Sequence, residues 1–178
     1  YSEANIATVY TSSRDKYLNL VHDIVEKRLQ TFQFQITDPI SFFPTYTKQE
    51  RRIQEIYKKY ISLHKAGKGR GNKRNDDAYR YSRPDYIRSL GGKSKQRSNY
   101  YYAGFEQLVH LSSGIIRFFL EAAALMYSES VKQNRTDKIK YITPSIQNKI
   151  ARGYADDFLF KEFEKFKKDA KSYGYTIE

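Results

Sequence analysis

Gly104-Phe-Glu-Gln-Leu-Val-His-Leu-Ser-Ser-Gly-Ile-Ile-Arg-Phe-Phe-Leu-Glu-Ala-Ala-Ala-Leu-Met-Tyr127 reads as an amphipathic helix, a Ser112-Ser113-Gly114 turn and a second helix that starts at once. The second helix sets Ile116, Phe119, Leu120 and Ala123 on its apolar face and carries Arg117 in its opening turn. A helix N-terminus holds partial positive charge and favours acids, so an arginine there is out of place. It is in place if an anion binds beside it. A guanidinium takes two phosphate oxygens through parallel charge-assisted hydrogen bonds, a geometry lysine cannot match. Amides at a Ser113–Gly114 helix start would add donors for the same anion. The competing reading is a solvated ion pair between Arg117 and Glu121, one turn on.

Outward from this stretch the pattern is mostly helical. Ile6 to Thr11 reads as a short strand. Leu18, Val21, Ile24, Val25 and Leu29 recur at helical spacing. Phe32–Ile36 and Ile40–Phe43 read as short extended pieces around Asp38-Pro39. Thr47-Lys-Gln-Glu50 matches a capping box ahead of a helix with Ile53, Ile56, Tyr57, Tyr60 and Ile61 on one face. Thr143-Pro144 is a helix start, with the cap followed by proline at the first helical position. Asp156-Asp157 reads as the acidic first turn of a separate final helix, with Leu159, Phe163 and Phe166 inward and Gly174 as its end.

The 178 residues suit one domain or parts of two, and 39% hydrophobic residues are enough to build a core. There are 17 Tyr and 11 Phe but no Trp. The net charge of +12 favours an anionic partner such as nucleic acid. The absence of cysteine excludes disulfides, Cys-zinc sites and thiol catalysis. No apolar run approaches the roughly 20 residues of a membrane span, so no membrane partner is expected and the expected location is cytoplasmic. The chain opens on Tyr1 and its only methionine is Met126, which points to the C-terminal part of something longer or to a processed product. No metal site is expected, since His22, His64 and His110 are scattered without ligand spacing.

Residues 65–97 hold eleven Lys and Arg against three Asp, +8 of the +12. Five glycines fall in this segment, which predicts an irregular stretch with one helical turn at Pro84–Leu90. Lys65, Lys68, Arg70, Lys73, Arg74, Arg80, Arg83, Arg88, Lys93, Lys95 and Arg97 are interleaved with Tyr79, Tyr81, Tyr86 and Tyr100–Tyr102. Basic residues gain affinity by releasing counterions from a phosphate backbone, and tyrosines can stack on unpaired bases. A solvated loop and a docking site for an acidic protein are the alternatives.

Ser112-Ser113-Gly114-Ile-Ile-Arg117-Phe-Phe-Leu120 resembles the second sensor motif of AAA+ ATPases of the initiator, origin-recognition-like clade. Thr11-Ser12-Ser13 resembles the first sensor, Val25-Glu-Lys-Arg28-Leu29 the arginine-finger region, and Ile40-Ser-Phe-Phe-Pro-Thr-Tyr-Thr47 the passage into the lid. The resemblance covers roughly residues 6–64 and 100–152. It implies a mainly α fold: a helical lid-type bundle preceded by the last strand or strands of an α/β ATPase core. Residues 1–47 would end that core, 48–64 and 98–178 would be the helical lid and C-terminal helices, and 65–97 a basic irregular insertion. It further implies ATP with Mg as cofactor, bound mainly by an upstream core and read by Arg117, Ser113 and Gly114. Arg28 would act in trans within an oligomer of the chain's own protomers or a larger complex, and the basic segment would contact nucleic acid.

Two departures matter. Lys27 stands where clamp-loader relatives usually have serine. The sequence also has no Gly-x-x-x-x-Gly-Lys-Ser/Thr, and Gly67-Lys-Gly-Arg-Gly-Asn-Lys73 fails that spacing. Nothing in the chain supports stand-alone catalysis, so a non-catalytic basic helical nucleic-acid-binding or adaptor subunit is the alternative. Initiation, remodelling and bacterial anti-phage defence all use such ATPases, and fold does not choose among them.

Overall fold

The computed structural model describes residues 14–68, 76–91 and 100–172. Among these the helices are α1 (Arg14–Thr31), α2 (Pro39–Phe42), α3 (Thr47–Lys65), α4 (Asp76–Leu90), α5 (Phe105–Leu111), α6 (Ile116–Asn134) and α7 (Pro144–Ser172). The described residues contain no strand, and the fold is mainly α. The Ile6–Thr11 strand and the Thr11-Ser12-Ser13 motif lie outside the described residues. No helix among the described residues is long and apolar enough to cross a membrane. The chain divides into two units, one of residues 1–44 and 102–178, the other Thr45–Tyr101.

The core of the first unit begins on α1, where Tyr17, Val21, Val25 and Leu29 are buried at four-residue spacing. They meet Phe42 and Phe43, then Phe105, Leu108 and Val109 of α5, Phe119 and Met126 of α6, and Ile142 and Ile146 around the start of α7. α1 ends in a left-handed residue, Gln33 (φ 56°), and the Phe34 amide donates back to the Leu29 carbonyl at 2.9 Å. α6 and α7 run antiparallel: Tyr154 donates to Glu121 at 2.6 Å and Lys149 to Glu129 at 2.7 Å.

Asp38-Pro39 is not a bend between extended pieces. Asp38 caps the short helix α2, its carboxylate accepting from the Ile40 amide at 3.3 Å and the Ser41 amide at 2.9 Å. The Ser41 hydroxyl bond, helped by both amides and the nearby His22 and opposed by some burial, holds the Asp38 carboxyl below its ordinary value. A carboxyl depressed on folding stabilises the fold above its unfolded pKa and loses that contribution as pH falls through the folded value. Acidification below about pH 4 should therefore weaken this cap. Melting temperature against pH in the wild type and in Asp38→Asn, which caps without titrating, checks this: the wild type should show the larger drop, since other depressed carboxyls such as Glu121 titrate in both.

Three further expectations change. Thr47 is the first helical residue of α3, with Tyr46 at the cap and no side-chain cap bond, so the Thr47–Glu50 capping box does not form. The final helix does not begin at Asp156-Asp157: α7 is continuous from Pro144 to Ser172, and the two aspartates are exposed in mid-helix. Leu159 and Phe163, expected inward, are 66% and 52% exposed; Gly174 lies outside the described residues. The Thr143-Pro144 start is as expected, and the Thr143 hydroxyl accepts from the Ile146 amide at 3.4 Å.

In the second unit α3 and α4 form a hairpin around buried Ile53, Ala78 and Tyr86. α4 overturns the irregular reading of residues 76–90. The five glycines of the 65–97 segment lie at 67, 69, 71, 91 and 92, bracketing this helix instead of interrupting it. Pro84 sits inside α4, where its missing N–H costs one backbone bond without ending the helix. The chain then returns to the start of α3, where Tyr101 stacks on Tyr46 at 4.3 Å between ring centroids. Buried Gln49 gives its amide N–H to the Tyr101 carbonyl and accepts the Tyr101 amide, both at 2.9 Å.

Candidate functional site

The turn between α5 and α6 is built around a buried serine. Ser112 Oγ donates to the Val109 carbonyl at 2.6 Å, so the Tyr17 hydroxyl, 2.7 Å away, must donate to Ser112 Oγ. That bond ties the turn to α1. Ser113 and Gly114 follow with φ of 52° and 81°. Two consecutive left-handed residues reverse the chain, and glycine at the second position carries no Cβ penalty. The Ser113 amide donates to His110 O at 3.1 Å, and the Ile115 amide to Ser112 O at 2.9 Å. The helix starts at Ile116, not at Gly114. Ser113 and Gly114 therefore shape the turn, and the Ser113 amide already has its acceptor. The cap residue of α6 is Ile115, which offers no side-chain bond, and no acid stands in the first turn.

Arg117 is 79% exposed in that first turn. Its Nε donates to Glu121 Oε1 at 2.7 Å, while Glu121 Oε2 accepts from the Tyr154 hydroxyl at 2.6 Å. The Tyr154 bond and then the Arg117 bond hold the Glu121 carboxyl below its ordinary value. Burial, then the bond to Glu121, pushes the Tyr154 hydroxyl up. The ion pair weighed in the sequence is thus formed. It engages Nε, and both Nη groups, which make an end-on fork to phosphate, lie outside it. One exposed guanidinium beside an uncapped, acid-free helix start suits the oxygens of an anion.

Arg28 stands exposed in the last turn of α1, at the edge of a cavity of about 900 Å³. Phe34, Phe42, Leu120 and Tyr127 line its apolar side and Lys138 and Lys140 join Arg28. Ser113 lines a second, apolar cavity of about 360 Å³ under Phe118 and Phe158. Arg28 and Ser113 thus line different cavities, and Arg117 borders neither of the two.

The basic segment divides differently from its sequence reading. Arg70, Lys73, Arg74, Lys93, Lys95 and Arg97 lie outside the described residues. Lys65 and Lys68 are exposed at the end of α3. The arginines of α4 are paired: Arg80 with Asp76 at 3.1 Å, Arg88 with Asp85 at 2.7 Å, and Arg83 with Glu50 at 3.5 Å and with the Tyr100 hydroxyl. Tyr86 and Tyr100 are buried and Tyr101 is stacked on Tyr46, so these three rings are not open to bases. Tyr79 is 73% exposed, with its ring edge-on to Tyr57 at 5.5 Å.

Two features were missed. His22, one of the three histidines without ligand spacing to one another, stands among carboxylates, 3.8 Å from Asp23, 3.9 Å from Glu26 and 3.7 Å from Asp38. Helical spacing of 22, 23 and 26 was the available signal. The outward side of α3 carries a row of Lys and Arg beginning at residue 48, ahead of the basic 65–97 segment.

No curated protein and no solved structure matches the chain. The model of one protein family, ORC-CDC6-like, matches residues 48–177, a range that takes in the 65–97 segment and the Ser112–Arg117 turn. The part of the resemblance ahead of residue 48 lies outside that match. With most of its length matched, the chain belongs to the ORC-CDC6-like family, and its helices α3 to α7 are an initiator-type AAA+ C-terminal region.

Proposed function

We propose that this chain is the lid-bearing C-terminal part of an AAA+ ATPase that couples nucleotide state to action on nucleic acid within an oligomer. Family membership supports the ATPase frame. The observation that carries the residue assignment is Arg117, exposed in an acid-free helix start with Nε already held by Glu121. ATP with Mg, bound mainly by a core outside this chain, would supply the terminal phosphates to be read. Arg117 would grip their oxygens through its Nη groups while Glu121 fixes the plane of the guanidinium. Losing that grip would return Arg117 to its pair with Glu121 alone. Tyr154, on the other oxygen of Glu121, would carry the change from α6 to α7. Arg28, exposed at the end of α1, would reach a nucleotide on a neighbouring protomer.

The test uses the intact protein. A guanidinium bond to a charged group is worth about 1.5–3 kcal/mol, so Arg117→Ala should weaken binding of a non-hydrolysable Mg-ATP analogue about 10- to 150-fold with an unchanged circular dichroism spectrum. Glu121→Gln should weaken it less. Arg28→Ala protomers mixed into wild type should lower turnover by more than their fraction. Normal nucleotide affinity and turnover in Arg117→Ala would remove the sensor role. What remains would be a basic helical nucleic-acid-binding or adaptor subunit.

A further inference from the structure

At 100° per residue, positions 48, 51, 52, 55, 58, 59, 62 and 65 of α3 fall within one arc, opposite buried Gln49 and Ile53. Every one of them is exposed. They are Lys48, Arg51, Arg52, Glu55, Lys58, Lys59, Ser62 and Lys65: six cations, one acid and one serine. Among the described residues none of the six makes an ion pair within 4.0 Å, whereas Arg80, Arg83 and Arg88 on α4 all do. A helix face built only for solubility alternates signs. Here Lys48 stands beside Arg51 and Arg52 at i+3 and i+4, a like-charge spacing that destabilises a lone helix. A polyanion lying along the stripe removes that repulsion.

We propose that the outward stripe of α3 is a binding surface for the phosphate backbone of duplex nucleic acid, read without regard to base sequence. This rests on the nucleic-acid part of the function proposed above, not on its ATPase part. The stripe is about 26 Å long at 1.5 Å per residue, and a duplex carries one phosphate charge per roughly 1.7 Å of its axis. About 15 phosphate charges lie along that length of duplex, enough to face all six cations. The stripe carries no aromatic ring, and single-strand binding depends on stacking platforms. Tyr46 turns to Tyr101 and Tyr86 to Tyr100, and the exposed rings of this hairpin, Tyr79 and Tyr81, stand on α4, off the stripe. An acidic protein partner would want apolar anchors at the centre of the patch, and there are none. Membrane insertion would need the apolar face of α3, where Ile53 is buried and Ile56, Tyr57, Tyr60 and Ile61 are half-buried in the hairpin.

Fluorescence anisotropy of the intact protein with a labelled random-sequence 30-base-pair duplex, across a salt series, tests this. Six phosphate contacts predict a slope of log affinity against log salt near −5. Lys48→Gln, Arg52→Gln and Lys59→Gln together should bring the slope to about −3 and weaken binding about 500-fold at 0.1 M salt. Helical content should be unchanged, since glutamine is a good helix former. A Lys93→Gln, Lys95→Gln, Arg97→Gln variant should lose much less. The reverse ranking would overturn the stripe and leave nucleic-acid binding standing. Tighter binding to the single strand would overturn the duplex assignment. Wild-type protein that binds neither duplex nor single strand, or only anionic phosphatidylserine vesicles, would defeat both the stripe and the nucleic-acid reading.

Discussion

Gln147→Leu should lower the stability of the first unit by about 3–5 kcal/mol, the range in which a domain of ordinary stability is close to unfolding. The Gln147 side chain is 0% exposed, and its amide serves three backbone groups at once. It accepts from the Gly104 amide at 2.7 Å and donates to the Ile142 carbonyl at 2.7 Å and the Pro44 carbonyl at 3.1 Å. Three segments that no regular ladder connects are thereby joined through one residue. Leucine fills much the same volume, so the loss is not one of packing. It strips those buried groups of their side-chain partner, at about 1–3 kcal/mol each, and apolar burial returns only part of it. Urea unfolding followed by circular dichroism should show a large fall in midpoint. Gln147→Glu separates hydrogen bonding from shape. It should be poor at neutral pH, where the carboxylate has no proton to donate, and should partly recover as acid protonates it. A leucine variant as stable as wild type would show that the three backbone groups find other partners.

Phe105→Ala should cost about 3–5 kcal/mol. The ring is buried where the core is most aromatic, edge-on to Phe119 at 5.7 Å and to His22 at 5.8 Å and tilted against Phe43 at 6.5 Å. Removing it leaves a cavity bordered by three rings that cannot all close in, which places the substitution toward the upper part of the range. The backbone bond from the Phe105 amide to the Phe43 carbonyl, 3.0 Å, survives the change, so the chain path should persist and the loss should be one of packing. Calorimetry of this variant beside Phe32→Ala, where the ring is exposed, tests the contrast: the second should shift the midpoint little. Equal effects in the two would mean that the packing around Phe105 is loose enough to absorb the loss of the ring.

What could be read from the sequence was whatever depended on neighbours in the chain. The apolar spacing of α1, the Thr143-Pro144 start and the pairing of Arg117 with Glu121 are all local. The errors came from windows. Counting glycines over residues 65–97 hid that they flank a helix. Reading Asp156-Asp157 as a helix start ignored that nothing from Tyr154 onward ends the preceding helix. Gly153, which costs about 1 kcal/mol against alanine, is tolerated inside it. The stripe on α3 was missed for the same reason, since charge was summed along the chain and not around the helix. Gln49 and Gln147 were beyond sequence reasoning altogether. Glutamine is ordinarily a surface residue, and no pattern marks one whose amide substitutes for secondary structure. At the Thr47–Glu50 capping box a tertiary contact prevailed: Tyr46 takes the cap position while its ring stacks on Tyr101.

The meeting of Tyr46 with Tyr101 also bears on the order in which the chain folds. The first unit is discontinuous, its two parts separated by the whole of Thr45–Tyr101. Joining those parts directly would mean closing a long loop. The α3–α4 hairpin draws on contacts closer in sequence, and once formed it holds its own two ends together through the Tyr46–Tyr101 stack and the paired Gln49–Tyr101 bonds. The span left to close then shrinks roughly tenfold, which lowers the entropic barrier by about 2 kcal/mol. The hairpin that presents the basic stripe would thus form ahead of the aromatic core and ease its closure.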